Sequence, residues 1–384
     1  MVEAQGRLFE VRFNRDPIGR ISFPSPNLYA LNHSHEKIQD SKLQKQMATS
    51  TSPRRFYLLT YPRTASNLLT KILALEDQPH ILSNERGGYF FVPTVGLRLH
   101  DPKTAGRHLD EWTPEERTKL WNSYQVSFDA LQKHLEAAEV QGKNVFVKEH
   151  VNWMIEPVAE TKLVYGEEST KEVPWTVKVP SGLEQTHSPL NKTILPDDFL
   201  KHWLPTFLIR HPALVFPSNY RTQVDNNGKE SVKNESKMLA LEMTMHWTRT
   251  LYEWYRQQFA ATKDMSSDEI WPIIIDADDI MFGPEVVLKY AKIIGLDSKK
   301  LKFSWTPKSK EELDKMWDVE RRMLSTISAS AGIVEGKTSK GLDVDEETKK
   351  WKVEFGEVEG TRIEKWVRDA MPDYEYLKSR RLRM

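Results

Sequence analysis

The order of apolar runs along the 384-residue chain predicts an α/β fold, a parallel central sheet flanked by helices on both faces. Three observations predict it. Four short runs, at residues 56–61, 145–148, 205–209 and 271–275, are mostly apolar, β-branched or aromatic, as strands buried on both faces are. Segments with helical periodicity or helix-start signals stand between them. Each run ends in a cluster of charged or polar residues, where a buried strand emerges from the sheet.

Residues 1–52 are polar, carry prolines at 17, 24 and 26, and are expected to form a partly ordered arm. Residues 53–384 are expected to form one domain, with long insertions at about 77–143 and 151–203. The first strand stops at Pro62, which has no N–H for the ladder. Ser66 or Asn67 can then cap a helix carrying Leu68, Leu69, Ile72 and Leu73. After loops containing Gly87-Gly88 and His100-Asp101-Pro102, Thr113-Pro114-Glu115-Glu116 starts a long helix, expected to reach Glu139. Leu120, Tyr124, Phe128, Leu131 and Leu135 share one face of it. Residues 151–196 read as an excursion with a hairpin around 162–179, and Pro196-Asp197-Asp198 as the start of a helix through Trp203. One unbroken helix is expected over 239–259, with Trp247 on its apolar side, and another from Gly283-Pro284-Glu285 to Gly295.

Composition narrows the chemistry. Fifty-five basic residues balance fifty-five acidic ones, so there is no global pull toward nucleic acid or an anionic membrane, and neither is expected as a partner. The absence of cysteine excludes disulfides, thiolate catalysis and cysteine-ligated metal. His33-Ser34-His35 lacks a third ligand nearby, no His-Glu-x-x-His motif occurs, and no metal is expected. No run is apolar enough for a membrane span and the N-terminus has no signal-like segment, so a cytoplasmic protein is expected.

The chemistry sits at the strand ends. The first strand leads through Tyr61-Pro62-Arg63-Thr64-Ala65-Ser66-Asn67 into a helix. Strand, tight turn and helix N-terminus aim unpaired N–H groups and the helix dipole at one point, and Arg63 adds a full charge. The turn is not a Walker A loop, since it lacks the paired glycines and the Lys-Ser/Thr ending. The second strand ends in Lys148-Glu149-His150 and the third in Arg210-His211-Pro212. In open α/β sheets ligands bind beyond the carboxyl ends of the strands, so three basic exits on neighbouring strands would share one crevice. Any one of them alone reads better as a simply exposed charge; the three together favour a shared crevice.

These motifs resemble those of sulfotransferases. The turn at 61–66 is similar to their 5′-phosphosulfate loop, Lys148-Glu149-His150 to their Lys-Thr-His segment, and Arg210, Pro212 and Ser218 to their 3′-phosphate motif at matching spacing. Asp278-Asp279-Ile280 with the helix after it looks like the family's Glu-Asp-Leu strand end. Lys340-Gly341 with Trp351-Lys352-Val353-Glu354-Phe355 is more loosely similar to its Arg-Lys-Gly and Trp-Lys-x-x-Phe segments. The resemblance implies a P-loop NTPase-like sulfotransferase architecture. It further implies 3′-phosphoadenosine 5′-phosphosulfate as co-substrate and a small-molecule acceptor bearing a hydroxyl or amine. Carried over by position, Arg63, Thr64, Ala65, Ser66 and Asn67 would hold the 5′ end, and Arg210, Ser218, Lys340 and Gly341 the 3′ end. Arg63 and Lys148 would stabilise the leaving group, and His150 would take the acceptor's proton. Four positions depart from the pattern: Ala65 stands for Gly, so a φ > 0 conformation there is strained; Leu68 stands for the adenine-stacking Trp; Ala277 stands for a Tyr; His211 stands for the usual Asn. Trp247 is then a substitute platform for adenine or a core residue of its helix. An altered donor site also leaves open a reading as an elimination, cyclisation or condensation enzyme on an anionic substrate, or as a binding module without catalysis.

Overall fold

The structure is a computed structural model, and it describes residues 53–84, 88–99, 104–261 and 270–384. The N-terminal arm, the His33/His35 pair, Gly87 and the His100-Asp101-Pro102 turn lie outside the described residues. Five parallel strands form one sheet in the order β2-β3-β1-β4-β5. They are β1 (Arg55–Thr60), β2 (Ile81–Leu82), β3 (Asn144–His150), β4 (Leu204–Ile209) and β5 (Ile273–Asp276). In chain order the helices used below are α1 (Ser66–Leu73), α2 (Val92–Leu99), α3 (Pro114–Gln141) and α4 (Pro157–Tyr165). After them come α5 (Asp197–Leu200), α6 (Pro212–Asn227), α7 (Ser236–Glu242) and α8 (His246–Ala261). The C-terminal part supplies α9 (Ala277–Phe282), α10 (Pro284–Ile293), α11 (Asp318–Met323), α12 (Val344–Phe355) and α13 (Glu357–Ser379).

The period-two alternation of β1 explains why both faces are covered. Tyr57 and Leu59 pack into a cluster with Phe128, Trp203, Tyr255 and Tyr374, from the α3, α8 and α13 side. Phe56 and Leu58 pack the other way, with Leu69, Ile72, Val287 and Tyr290 of α1 and α10. Burying each such side chain contributes roughly 1.5–3 kcal/mol, which makes the central strands the least yielding part of the molecule. β1 runs in register with β3 from Arg55↔Val145 to Thr60↔His150, and β4 with β5 to Ile209↔Asp276. The strand ends carrying Arg63, His150 and Arg210 therefore leave the sheet along the same rim, on three adjacent strands.

The long helix starts where expected, with Thr113 and Glu116 forming a reciprocal capping box. Four expectations need correction. There is no hairpin around 162–179: Glu156 accepts hydrogen bonds from Val158 N (2.7 Å) and Ala159 N (2.5 Å), so Glu156-Pro157 starts α4. The helix expected through Trp203 ends at Leu200. The single helix over 239–259 is two, α7 and α8, because Thr244 Oγ1 accepts from His246 N (3.1 Å) and restarts the helix. Neither Ser66 nor Asn67 caps α1: the cap position is Ala65, with no side-chain bond, and both side chains are used across the cleft instead.

Candidate active site

The turn after β1 is built under strain. Arg63 and Ala65 both take left-handed backbone conformations, at φ 71° and 66°, so the strain expected from Ala in place of Gly is present. Thr64 closes the turn, its hydroxyl donating to Tyr61 O (2.7 Å). The left-handed Arg63 turns its side chain toward β4. Its Nε donates to Ser218 Oγ (3.0 Å) and its Nη1 to Met323 O (2.9 Å), at the end of α11. Arg210 closes the same corner, donating from Nη1 to Arg63 O (3.0 Å) and from Nη2 to Lys337 O (2.7 Å). Its buried Nε meets no hydrogen-bond partner among the described residues.

Neither guanidinium forms an ion pair among the described residues. Asp276 and Asp278 lie near enough to act on Arg210, but their oxygens are engaged elsewhere. Asp276 caps α9 through Asp278 N (2.9 Å) and accepts from Tyr374 Oη (2.8 Å). Asp278 accepts from the backbone N and the hydroxyl of Ser339, and Asp279 pairs with Arg381 (2.7 Å). The acidic strand end thus anchors the loop carrying Lys340 and Gly341. Those two residues are themselves exposed, and the loop reaches Arg210 through Lys337 O. Burial lowers the pKa of both arginines from the usual value, with the mutual repulsion of Arg63 and Arg210 a smaller cause at Arg63. A guanidinium still stays charged at any physiological pH.

The other half of the rim belongs to β3. Alternation along the strand sends Lys148 and His150 to one side and Glu149 to the other. Lys148 is 1% exposed, donates from Nζ to Asn67 Oδ1 (2.7 Å), and stands 4.2 Å from the centre of the Tyr89 ring. Burial pulls its ammonium down to about 7, against a smaller opposing pull from Glu149. Glu149 is structural, as its facing implies. Its Oε1 accepts from Phe90 N and Phe91 N and so holds the chain entering α2. Burial raises its carboxyl to about 8, against those hydrogen bonds.

His150 is 3% exposed, with both ring nitrogens engaged by side chains. Nδ1 lies 2.6 Å from Thr60 Oγ1, whose proton goes to Glu149 O (3.0 Å), and Nε2 lies 3.1 Å from Tyr89 Oη. With the Thr60 proton on Glu149 O, Nδ1 donates to Thr60 and Nε2 turns its lone pair toward the Tyr89 hydroxyl. Burial first, then Lys148 and Arg63, hold the imidazole pKa well below its usual value, which keeps the ring neutral. Trp153 packs edge-on against His150, ring centres 4.4 Å apart, and closes the site on that side. Behind Trp153 a cavity of about 30 Å³, lined by Arg98, Asn152, Glu160 and Glu242, has room for a water molecule.

The rim therefore gathers Arg63, Ser218 and Arg210 at one corner and Asn67, Lys148 and His150 at the other, with Ser66 3.3 Å from Tyr89 Oη between them. It does not turn the Thr64 hydroxyl or the Lys340 side chain into this network. Trp247 is core: it is buried and donates from Nε1 to Leu241 O (2.9 Å). Leu68 packs partly buried against the α1 side of the core and Ala277 is fully buried. His211 caps α6 by accepting from Ala213 N (3.2 Å). Sequence reasoning missed Tyr89, Trp153, Met323 and Lys337; Gly88 beside an aromatic residue was the one available signal, for Tyr89. Among the described residues, no group of three or more His, Asp or Glu side chains is placed to hold a metal ion.

Comparison with known proteins gives a consistent family. The chain is 47% identical over 335 residues to Sulfotransferase ppzF of Metarhizium rileyi (strain RCEF 4871), covering 86% of this chain and 97% of that protein. It is 46% identical over 342 residues to Sulfotransferase ppzF of Metarhizium majus (strain ARSEF 297), covering 88% and 99%. No family model matches. Among solved structures, the sulfotransferase domain of the Synechococcus PCC 7002 olefin synthase aligns over 76% of this chain and 89% of its own, at 15% identity and a TM-score of 0.34, too distant to carry an argument. With near-half identity over almost the whole of two such enzymes, the chain belongs to the sulfotransferase family.

Proposed function

We propose that the protein moves a sulfuryl group from 3′-phosphoadenosine 5′-phosphosulfate to a hydroxyl or amine of a small-molecule acceptor, with His150 as general base. One observation carries this reading: a neutral imidazole whose Nε2 faces the Tyr89 hydroxyl stands on the same rim as three basic side chains, Arg63, Lys148 and Arg210, none of which forms an ion pair among the described residues. The names of the two Metarhizium relatives support the class of reaction.

The residues present suit a donor with anionic groups at both ends. Arg210, with an unpartnered buried Nε, and Ser218 would hold the 3′-phosphate. The N-terminus of α1, with Ala65, Ser66 and Asn67, and Lys148 would hold the 5′ end. Thr64 shapes that turn through Tyr61 O, and the loop with Lys340 and Gly341 closes over Arg210. When bound, the donor supplies an activated sulfuryl group. Lys148 and Arg63 would offset charge growing on the leaving oxygen, in a desolvated site where such offsets are strong. His150 Nε2 would receive the acceptor's proton, and Thr60, accepting from Nδ1, would hold the tautomer that makes this possible. Tyr89 and Trp153, from the two segments read as insertions, stand beside His150 and would line the acceptor pocket.

No helix among the described residues is long and apolar enough to cross a membrane, and the chain lacks cysteine; we assign it to the cytoplasm, without nucleic acid or membrane as partner. The direct test is acceptor-dependent formation of adenosine 3′,5′-bisphosphate. His150→Ala should lower turnover about 10²–10⁴-fold while donor binding persists, the range expected for loss of a general base. Undiminished turnover would overturn the role. A second reading rests on Leu68 and Ala277, which leave no aromatic ring at the two positions that flank adenine in the family. In that case the same rim would promote elimination, cyclisation or condensation, and products would lack the added mass of about 80 Da.

A further inference from the structure

We propose that Tyr89 is a catalytic residue of the transfer, relaying the acceptor's proton to His150; the inference rests on the reading of His150 as base. His150 is buried, and the nitrogen that would take a proton already has a partner, the Tyr89 hydroxyl at 3.1 Å. With the Thr60 proton on Glu149 O and Nδ1–H on Thr60, Tyr89 Oη is the donor to Nε2. Tyr89 is the more exposed of the two, and its hydroxyl also faces Ser66 Oγ (3.3 Å) at the N-terminus of α1. The phenol oxygen thus lies between the base and the turn proposed to hold the sulfuryl end; with its proton on Nε2 it accepts from Ser66 Oγ and keeps a second lone pair for an incoming O–H.

The alternative is that Tyr89 is a plug that swings aside, and the way it is held argues against that. Tyr89 N donates to Lys148 O (2.8 Å), and Gly88 lets the chain come this close. Gly88 has φ 137°, and a Cβ there would lie 2.3 Å from Lys148 N and O. On the other side, Glu149 Oε1 accepts from Phe90 N and Phe91 N, and the Lys148 ammonium sits over the ring. Backbone clamps on both sides and a cation on the ring face keep the hydroxyl in place.

In the step, the acceptor's proton passes to Tyr89 Oη while Tyr89's own proton passes to His150 Nε2. The acceptor oxygen forms its bond to sulfur as the bond from sulfur to the nucleotide's phosphate oxygen breaks, and that electron pair leaves with the nucleotide. Tyr89 ends as a neutral phenol and His150 as imidazolium. Burial raises the phenol pKa, so Tyr89 gives its proton only as it receives another. The charged or titratable groups around the imidazole are Lys148, Glu149, Arg63 and Tyr89 itself.

The test compares wild type, Tyr89→Phe, Gly88→Ala and His150→Ala in the full chain, with 2-naphthol and with water as acceptors of the donor's sulfuryl group. ¹⁵N NMR of the histidines accompanies the kinetics. The relay predicts a His150 proton on Nδ1, and an Nε2 resonance that moves to the unbonded position in Tyr89→Phe. Tyr89→Phe should keep its melting temperature and its affinity for adenosine 3′,5′-bisphosphate, yet lose about 10²-fold in kcat without a lower acceptor KM. Its solvent-isotope dependence should become linear, where the wild type's is curved by two moving protons. Gly88→Ala, which dislodges the same hydroxyl, should lose kcat likewise. Unchanged or raised kcat with a lower KM in Tyr89→Phe, or a proton on Nε2 in the wild type, overturns the relay. Undiminished turnover in His150→Ala, or no donor consumption by the wild type, instead overturns the base or donor reading beneath it.

Discussion

The two corners of the rim hold their cations by opposite means. Arg63 and Arg210 donate to main-chain carbonyls, those of Met323, Lys337 and Arg63 itself, and to the Ser218 hydroxyl. These partners orient a guanidinium without cancelling its charge, and a guanidinium does not titrate near neutrality. Lys148 and His150 are instead stripped of water, and desolvation sets their protonation: the lysine falls to about 7 and the histidine is held neutral. One corner is a permanent charge of fixed geometry, suited to holding a phosphate. The other pairs a lysine that titrates near neutrality with an imidazole held neutral, the state a proton acceptor needs.

That contrast can be broken first at its permanent side. Arg210→Ala removes charge-assisted hydrogen bonds worth about 1.5–3 kcal/mol, so the dissociation constant of adenosine 3′,5′-bisphosphate should rise roughly 10- to 100-fold, equally at pH 6 and pH 9. A loss that varied with pH would blur the distinction. The titrating side should show the reverse. With Lys148 at about 7 in the free protein, an anion bound beside it restores the ammonium, so binding above pH 7 must take up a proton. Affinity should then fall by up to about tenfold per pH unit above 7. Calorimetry in buffers of different ionisation enthalpy should count nearly one proton at pH 8.5, and none in Lys148→Met.

Smaller effects sharpen the same contrast. Glu149 has its folded pKa raised to about 8, so between its unfolded value and 8 the unfolded chain has lost a proton that the folded one keeps. Its contribution therefore weakens as pH rises through that window. Glu149→Gln, close in shape to the protonated acid, should change stability by less than about 1 kcal/mol at pH 5 and flatten the decline toward pH 8. Urea unfolding at both pH values checks this; an unchanged slope would contradict it. Ala65→Gly relieves a left-handed backbone and should stabilise by about 1 kcal/mol, less the added freedom of glycine in the unfolded chain. A lower melting temperature would mean that the Ala65 side chain is needed in the turn.

Much of the sheet was legible because buried strands write themselves as apolar runs, and β1, β3, β4 and β5 fall within a few residues of those runs. The two-residue β2 was not, since Ile81–Leu82 is too short to show a period. Helix breaks were hidden where one side chain decides them, as at Thr244 and Glu156. At the site, Arg63, Lys148, His150 and Arg210 stand at strand ends, where charge after an apolar run is visible in one dimension. Their partners were invisible for two reasons. Met323 and Lys337 act through backbone carbonyls, which every residue has, and they come from 260 and 127 residues away. Tyr89 meets His150 across 61 residues, through a glycine contact and a Glu149 clamp that exist only after β3 has formed.

The central claim is that the two corners serve one ligand. It is tested most directly by the dissociation constants of 3′-AMP, 5′-AMP and adenosine 3′,5′-bisphosphate, measured by calorimetry on the wild type, Arg210→Ala and Lys148→Met. The wild type should bind the bisphosphate at least about tenfold more tightly than either monophosphate, one charge-assisted contact being worth that much. Arg210→Ala should erase the gain from the 3′-phosphate and Lys148→Met the gain from the 5′-phosphate. A bisphosphate bound no better than a monophosphate, or a gain that survives both substitutions, would contradict a shared site.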